Sequence, residues 1–428
     1  MGLTNHPQRY SLSHELHARP FPLVEAPGSV YYIAVTSDGN MRKDRKALKD
    51  LLAFYDAPLP ADGANHHFAD LGRFRLKWER HTEFVTYTLI ADANSEIPFS
   101  GEAHGRFPSD WLAKVPGQLI TSVTLRIEGP MTTKDAEKKI NSDFRKWFVG
   151  ESLAASFVVE KEAVVATDFR IDEAENVRMA IFAIGQVGSR RLGRIVQRLL
   201  EIETYKSMAM LTLPIAREVF GRIPKLNAEL THIVSGMKDD SVTALEKLDR
   251  LMGISAELET LYTQHAYRFS AAKAYGAIVS QRVEVLNESR ALGRQTFGEF
   301  MMRRFDPAMR TCAAAESALD ELTTRVARAA DLLGTRVSVL MNEQNQSLLS
   351  QMDNRAALQL RLQQTVEGLS VVAISYYGVN LVAYLLVPVA ESIGMSELWA
   401  TAALVPPVVG AVWYMVRRIR RTLHSREA

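Results

Sequence analysis

The chain has 428 residues, 47% of them hydrophobic and 23% charged, with 51 Lys and Arg against 49 Asp and Glu. At about 150 residues per domain this gives two or three units, and the composition excludes wholesale disorder. A formal net charge of +2 argues against a broad nucleic-acid-binding surface, and one cysteine, Cys312, cannot form an intrachain disulfide.

The opening MGLTNHPQRYSLSHELHARPFP lacks the basic and apolar regions of a signal peptide, and the residues after Gly2 do not fit a myristoylation pattern. The chain is therefore expected to begin in the cytoplasm. Strand signals follow at Val30–Thr36, Phe74–Trp78, Phe84–Ile90, Leu119–Glu128 and Ser156–Thr167, each rich in β-branched and aromatic residues or alternating in polarity. The ERHTE segment between the second and third can turn a hairpin. A helix is expected over MRKDRKALKDLLAFYD, where Leu48, Leu51, Leu52 and Tyr55 share a face, and another over Thr133–Trp147. Residues 1–170 thus read as a cytoplasmic α+β domain with a mixed, mostly antiparallel sheet.

From about Glu173 the pattern reads as helical. Leu192, Ile195, Val196, Leu199, Leu200 and Ile202 form an apolar stripe, and Pro214, Pro224 and Gly236 punctuate the region. A long segment covers roughly Ser241–Phe305, and Asp306-Pro307 has the form of a helix start. Leu319, Leu322, Val326, Ala329, Leu333, Val337 and Leu340 then follow 3–4 spacing, as a coiled-coil or bundle seam does. Polar residues 342–346 interrupt the seam before Leu348, Met352, Leu358, Leu362 and Val366. Residues 171–366 are expected to be a helical bundle and coiled-coil stalk.

The last part, 367–428, reads as a two-helix transmembrane hairpin. Residues 369–389, LSVVAISYYGVNLVAYLLVPV, carry no Asp, Glu, Lys or Arg and reach about 31 Å as a helix, enough for a hydrocarbon core of about 30 Å. A second run spans 398–416. The loop between them, AESIGMSE, holds Glu391 and Glu397, and Arg417, Arg418, Arg420 and Arg421 follow the second run. Arginine bias places that basic tail inside, so both termini are expected to be cytoplasmic and the acidic loop outside, with the tail near lipid headgroups. Trp399, Trp413 and Tyr414 fall near span ends. Asn380, Ser375, Tyr376 and Tyr377 are polar groups within the first span and are candidates for interhelix contact or for lining a path. Pro388, Pro406 and Pro407 fit kinks that membrane helices tolerate.

Signals for chemistry are sparse. His14, Glu15 and His17 form a polar cluster beside Arg19, but the spacing is not HExxH and no third ligand is identifiable. A capped turn docked on the domain explains it better. His66-His67 reads as a solvated loop, and His81 with Glu79 and Glu83 as a cross-strand polar cluster at a turn. Gly185-Gln-Val-Gly188 lacks the third glycine and the preceding strand of a dinucleotide site, and GxSxG and CxxC are absent. Asp239-Asp240 fits a helix-start loop. No catalytic residue, cofactor site or metal site is expected, and the chain does not read as an enzyme.

The opening NHPQRYSLSHELHARPFP, the KWERHTEFVTYT strand pair, TDFRI at Thr167–Ile171, RIVQRLLEIETYKSMAML and the RLQQTVEGLSVVAISYYGVNLVAYL segment together resemble one family of bacterial membrane-anchored proteins, domain of unknown function 3422. The likeness covers essentially the whole chain. It implies an inner-membrane protein, which the hairpin reading makes multi-pass, and carries no activity or site residue with it. The order of parts is also similar to CorA-type magnesium channels, whose Gly-Met-Asn signature is here Gly394-Met395-Ser396. The favoured expectation is a membrane-anchored scaffold that binds lipid, further copies of itself and an unidentified protein partner. The alternative is an oligomeric divalent-cation channel using Asn380, Tyr377, Glu391 and Glu397.

Overall fold

The computed structural model describes residues 4–10, 20–99, 106–238, 243–391 and 396–424. It divides into two compact units, Met1–Ala330 and Asp331–Ala428. In the first unit the chain runs β1 (Gly28–Thr36), α1 (Met41–Phe54), β2 (His66–Asp70), β3 (Arg75–Arg80), β4 (Phe84–Ala91), α2 (Ser109–Leu112), β5 (Leu119–Met131), α3 (Thr133–Ser142), α4 (Phe144–Trp147), β6 (Ala154–Val158), β7 (Ala163–Ile171) and β8 (Val177–Ile184). Helices α5 (Ser189–Met210), α6 (Thr212–Ser235) and α7 (Ala244–Val285) follow, then β9 (Ser289–Arg290), α8 (Phe297–Arg304) and the start of α9 (Asp306–Glu391).

The strands form one nine-stranded sheet in the order β2-β3-β4-β1-β5-β8-β7-β6-β9. The β5–β8 pairing is parallel and the other pairings are antiparallel, so the sheet is mixed and mostly antiparallel, as expected. Period-two alternation sorts β1 into two faces. Tyr31, Ile33 and Val35 pack with Leu48, Leu51 and Leu52 of α1 and Trp111 of α2. Val30, Tyr32 and Ala34 point to the opposite face, into a core shared with Leu192, Ile195, Val196 and Leu199 of α5. Asn40 starts α1, its side chain accepting from the backbone N–H groups of Arg42 and Lys43. Farther along the α1 side of the sheet, Phe182 of β8 and Phe157 of β6 meet Ile140, Phe144 and Trp147 of α3 and α4.

Several expectations are corrected. Ser156–Thr167 is a hairpin, β6 and β7, because Val159, Glu160 and Lys161 all adopt left-handed φ of 50–66° and turn the chain over. Thr133–Trp147 is two helices that meet at Asp143. His66-His67 opens edge strand β2 instead of lying in a loop. The region after Glu173 is not helical throughout. VRMAIFAI is β8, buried on both faces between β5 and β7, so its apolar run lacks the alternation that marks a half-exposed strand. Gly185–Gly188 therefore does follow a strand and lead into a helix. Pro224 sits inside a continuous α6, and the segment 241–305 is broken by β9 between α7 and α8. The sheet passes the expected boundary at residue 170, and α5 shares its core.

The second unit holds the rest of α9 and helix α10 (Glu397–His424). Leu319, Leu322, Val326 and Ala329 of α9 are buried in the first unit, whereas most large apolar residues from Val339 onward are exposed. One helix among the described residues is long and apolar enough to cross a membrane, and only 11% of its most apolar stretch is buried. The expected runs 369–389 and 398–416 lie in α9 and α10, respectively. The two helices approach closely at Gly378, where an added Cβ would lie 3.3 Å from Cγ1 of Val408.

Candidate functional site

Two regions carry the residues singled out from sequence. The first is the pair of C-terminal helices. Tyr377 is exposed on α9 with its ring edge-on to Tyr376 at 5.7 Å. Asn380 is half-buried one turn on, and Ser375 is buried with its Oγ unpartnered. Glu391 ends α9 and Glu397 begins α10; their side chains, like those of Arg420 and Arg421, lie outside the described residues. Arg417 sits 4.8 Å above the Trp413 ring, and Arg418 is exposed. The close approach of Gly378 and Val408 is absent from the sequence reading. A glycine inside an apolar span is the signal that marks such approaches.

The second region lies in the first unit, around the β3–β4 turn. His81 and Phe84 close this turn, the His81 N–H donating to the Phe84 carbonyl. The His81 ring stacks on Phe84 at 4.3 Å and meets Tyr205 of α5 edge-on. Glu79, His81 and Glu83 do not form one cluster. Glu79 pairs at 3.0 Å with Lys77, a buried lysine whose Nζ also donates to Gln197 Oε1 at 2.8 Å. Glu83 accepts from Arg268 and from the Tyr275 hydroxyl of α7. Burial, then the Glu83 carboxylate, pushes the Tyr275 phenol well above its ordinary range. Arg80 donates Nε to Asp44 Oδ2 at 3.0 Å, and Ser37 donates to the same carboxylate. Between these groups lies a cleft of about 600 Å³ lined by Asn65, Arg80, His81, Thr82, Tyr205 and Tyr275.

Each carboxylate here is paired with a cation, Glu79 with Lys77, Glu83 with Arg268 and Asp44 with Arg80, and the Tyr275 and Ser37 hydroxyls add hydrogen bonds to Glu83 and Asp44. His14 and His17 lie outside the described residues. Among the described residues no group of three His, Cys, Asp or Glu side chains is placed to hold a metal ion. Cys312 is buried, and burial raises its thiol above the ordinary value, the reverse of what a reactive thiolate needs.

A nine-stranded mixed sheet with helices on both faces, followed by a long helical part with a membrane-length apolar end, defines the class of protein. Within it, the family model for proteins of unknown function DUF3422 matches residues 4–423, and the chain belongs to that family. A search of the curated proteins gives no match.

Proposed function

We propose that the protein is a bacterial inner-membrane scaffold: a two-span C-terminal hairpin anchors it, both termini face the cytoplasm, and the α+β domain serves protein interaction. The observation that carries this reading is the apolar end of α9, of whose most apolar stretch only 11% is buried. A core helix of a soluble protein with the same composition would be mostly buried; this one needs hydrocarbon around it. The Gly378–Val408 approach supports α10 as the returning span. Arg417 and Arg418, which follow its apolar run, support a cytoplasmic tail. Alkaline carbonate extraction of membranes, combined with protease access to tags at each terminus of inverted vesicles, tests the reading. Retention in the pellet with both tags cleaved is expected. Release into the supernatant, or protection of either tag, overturns it. Reconstitution in liposomes with a Mg²⁺-sensitive dye distinguishes the scaffold from a channel: a flux abolished by Asn380→Ala would replace the scaffold reading.

A further inference from the structure

On an α-helix successive residues turn by about 100°. Placed on that wheel, Met341, Leu348, Met352, Leu362, Val366 and Leu369 of α9 fall within about 100° of arc, and all are 57–74% exposed. Tyr377 and Asn380 lie on the continuation of the same line. Gly378, which meets Val408, and the buried Ser375 lie about 130–170° away from the centre of this arc. At Gly378 helix α10 therefore lies on the far side of α9, and the stripe is exposed from Met341 to Tyr377.

We infer that this stripe is where a second copy of the chain docks, the two α9 helices running parallel and in register from Met341 to Asn380. The inference rests on the membrane-anchor reading, because α9 continues without a break into its apolar run. Two copies held in one membrane by the same run must point the same way, with equal residues at equal height. The polar residues on the stripe fit that arrangement. Gln344 and Gln359 carry amides, which both donate and accept and so pair with their own counterparts. Asn380 does the same within the apolar run, where an amide seeks a partner on a neighbouring helix. Arg355 is the one charge on the stripe and cannot pair with its counterpart, so the contact loosens there. Burying the six apolar side chains removes on the order of 500 Å² per helix from solvent, and the amides and Tyr377 bring this near the roughly 800 Å² per partner of a standard interface.

Single cysteines in a Cys312→Ala background of the full chain test this in native membranes. Copper-phenanthroline oxidation should give a disulfide-linked dimer at least fivefold more efficiently for Leu348→Cys, Met352→Cys and Leu362→Cys than for Ser350→Cys, Ala357→Cys and Gln364→Cys, which lie opposite. If Cys312→Ala fails to accumulate, the native background serves, because Cys312 is buried. Asn380→Val should lower cross-linking at Leu369→Cys several-fold. Equal or reversed efficiencies, or no dimer at any position, overturn the inference, and an unchanged Leu369→Cys signal removes Asn380 from the interface. Carbonate extraction of the same membranes separates the two failures: protein that stays in the pellet without stripe cross-links refutes pairing alone, whereas released protein refutes the anchor and the parallel constraint with it.

Discussion

Gly193 offers a sharp test of how the N-terminal segment docks. It lies in α5 where Pro20–Val24 crosses the helix, and a Cβ built on it would sit 1.7 Å from the Pro22 carbonyl oxygen and 2.9 Å from its carbon. Both are backbone atoms, so no side-chain rotation relieves the clash. Gly193→Ala must push the crossing segment away. The displacement breaks the Val24 N–H bond to the Ser189 carbonyl and the Arg75 bond to the Leu23 carbonyl, and lifts Val24, 1% exposed, from the core. The bond to Ser189 is worth about 1 kcal/mol net, the exposed Arg75 bond less, and the burial of Val24 about 2 kcal/mol. Alanine's better helix propensity returns about 1 kcal/mol, leaving roughly 2–3 kcal/mol of destabilisation. For a unit of 330 residues at about 2 °C per kcal/mol, the thermal midpoint of the detergent-solubilised chain should fall by about 4–6 °C. Gly253→Ala in α7 is the matched control: nothing lies within 4 Å of its Cβ, so the midpoint should rise by about 1–2 °C. A Gly193→Ala midpoint at or above that of the parent would refute the docking of Pro20–Val24 across α5.

Three further outcomes follow from the packing. Phe182 is buried and stacks on Trp147 with planes 4° apart, so Phe182→Ala should cost about 3–5 kcal/mol in urea unfolding of the first unit. Arg268→Ala removes the cation from Glu83 and a donor from the Met208 carbonyl, and should cost about 1–3 kcal/mol, against a smaller loss for Glu83→Gln, which keeps its partners in place. Glu128 is an acid-sensitive group. Burial opposes its ionisation, but hydrogen bonds from Lys139 and Arg126 outweigh this and hold its pKa below the ordinary 4.5. A depressed carboxylate stabilises the fold above its unfolded value and loses that contribution as pH falls from 4.5 through the folded value. Unfolding midpoints of Glu128→Gln should therefore vary less with pH below 4.5 than those of the parent.

The half-exposed part of the fold was legible: β1, β3, β4 and β5 fall within a few residues of their expected places, as does α1, because alternation and a helical stripe report one buried face. The misses share a cause. Strand β8 is buried on both faces and has no alternation to show, while the β6–β7 turn uses three consecutive non-glycine residues at positive φ, which turn propensities do not mark. Lys77 and Glu79 alternate along β3 as surface residues would, yet Lys77 is 2% exposed because Gln197 on α5 and Glu79 supply its partners. That neutralisation depends on a helix more than a hundred positions away and leaves no local trace. The polar positions of the apolar run were readable as types, but which of them face α10 and which do not depends on the phase of the Gly378–Val408 approach.

The burial along α9 also bears on the proposed pairing of two copies. Its first turns are held by core contacts, at Leu319, Leu322, Val326 and Ala329. From about residue 339 to the start of the apolar run almost every side chain is exposed, and Gly334 and Gly368, each costing about 1 kcal/mol relative to alanine, bracket the stretch. Propensity alone holds such a helix weakly in water, since helical stability in proteins comes mostly from packing an amphipathic face. A row of large apolar side chains left in water would also be an aggregation liability in a monomer. In the proposed pairing, a second helix laid on the stripe reduces both costs. The polar opposite face, with Asn342, Glu343, Asp353 and Arg361, then stays in water. In the proposed pairing this polar face confines the contact to the stripe.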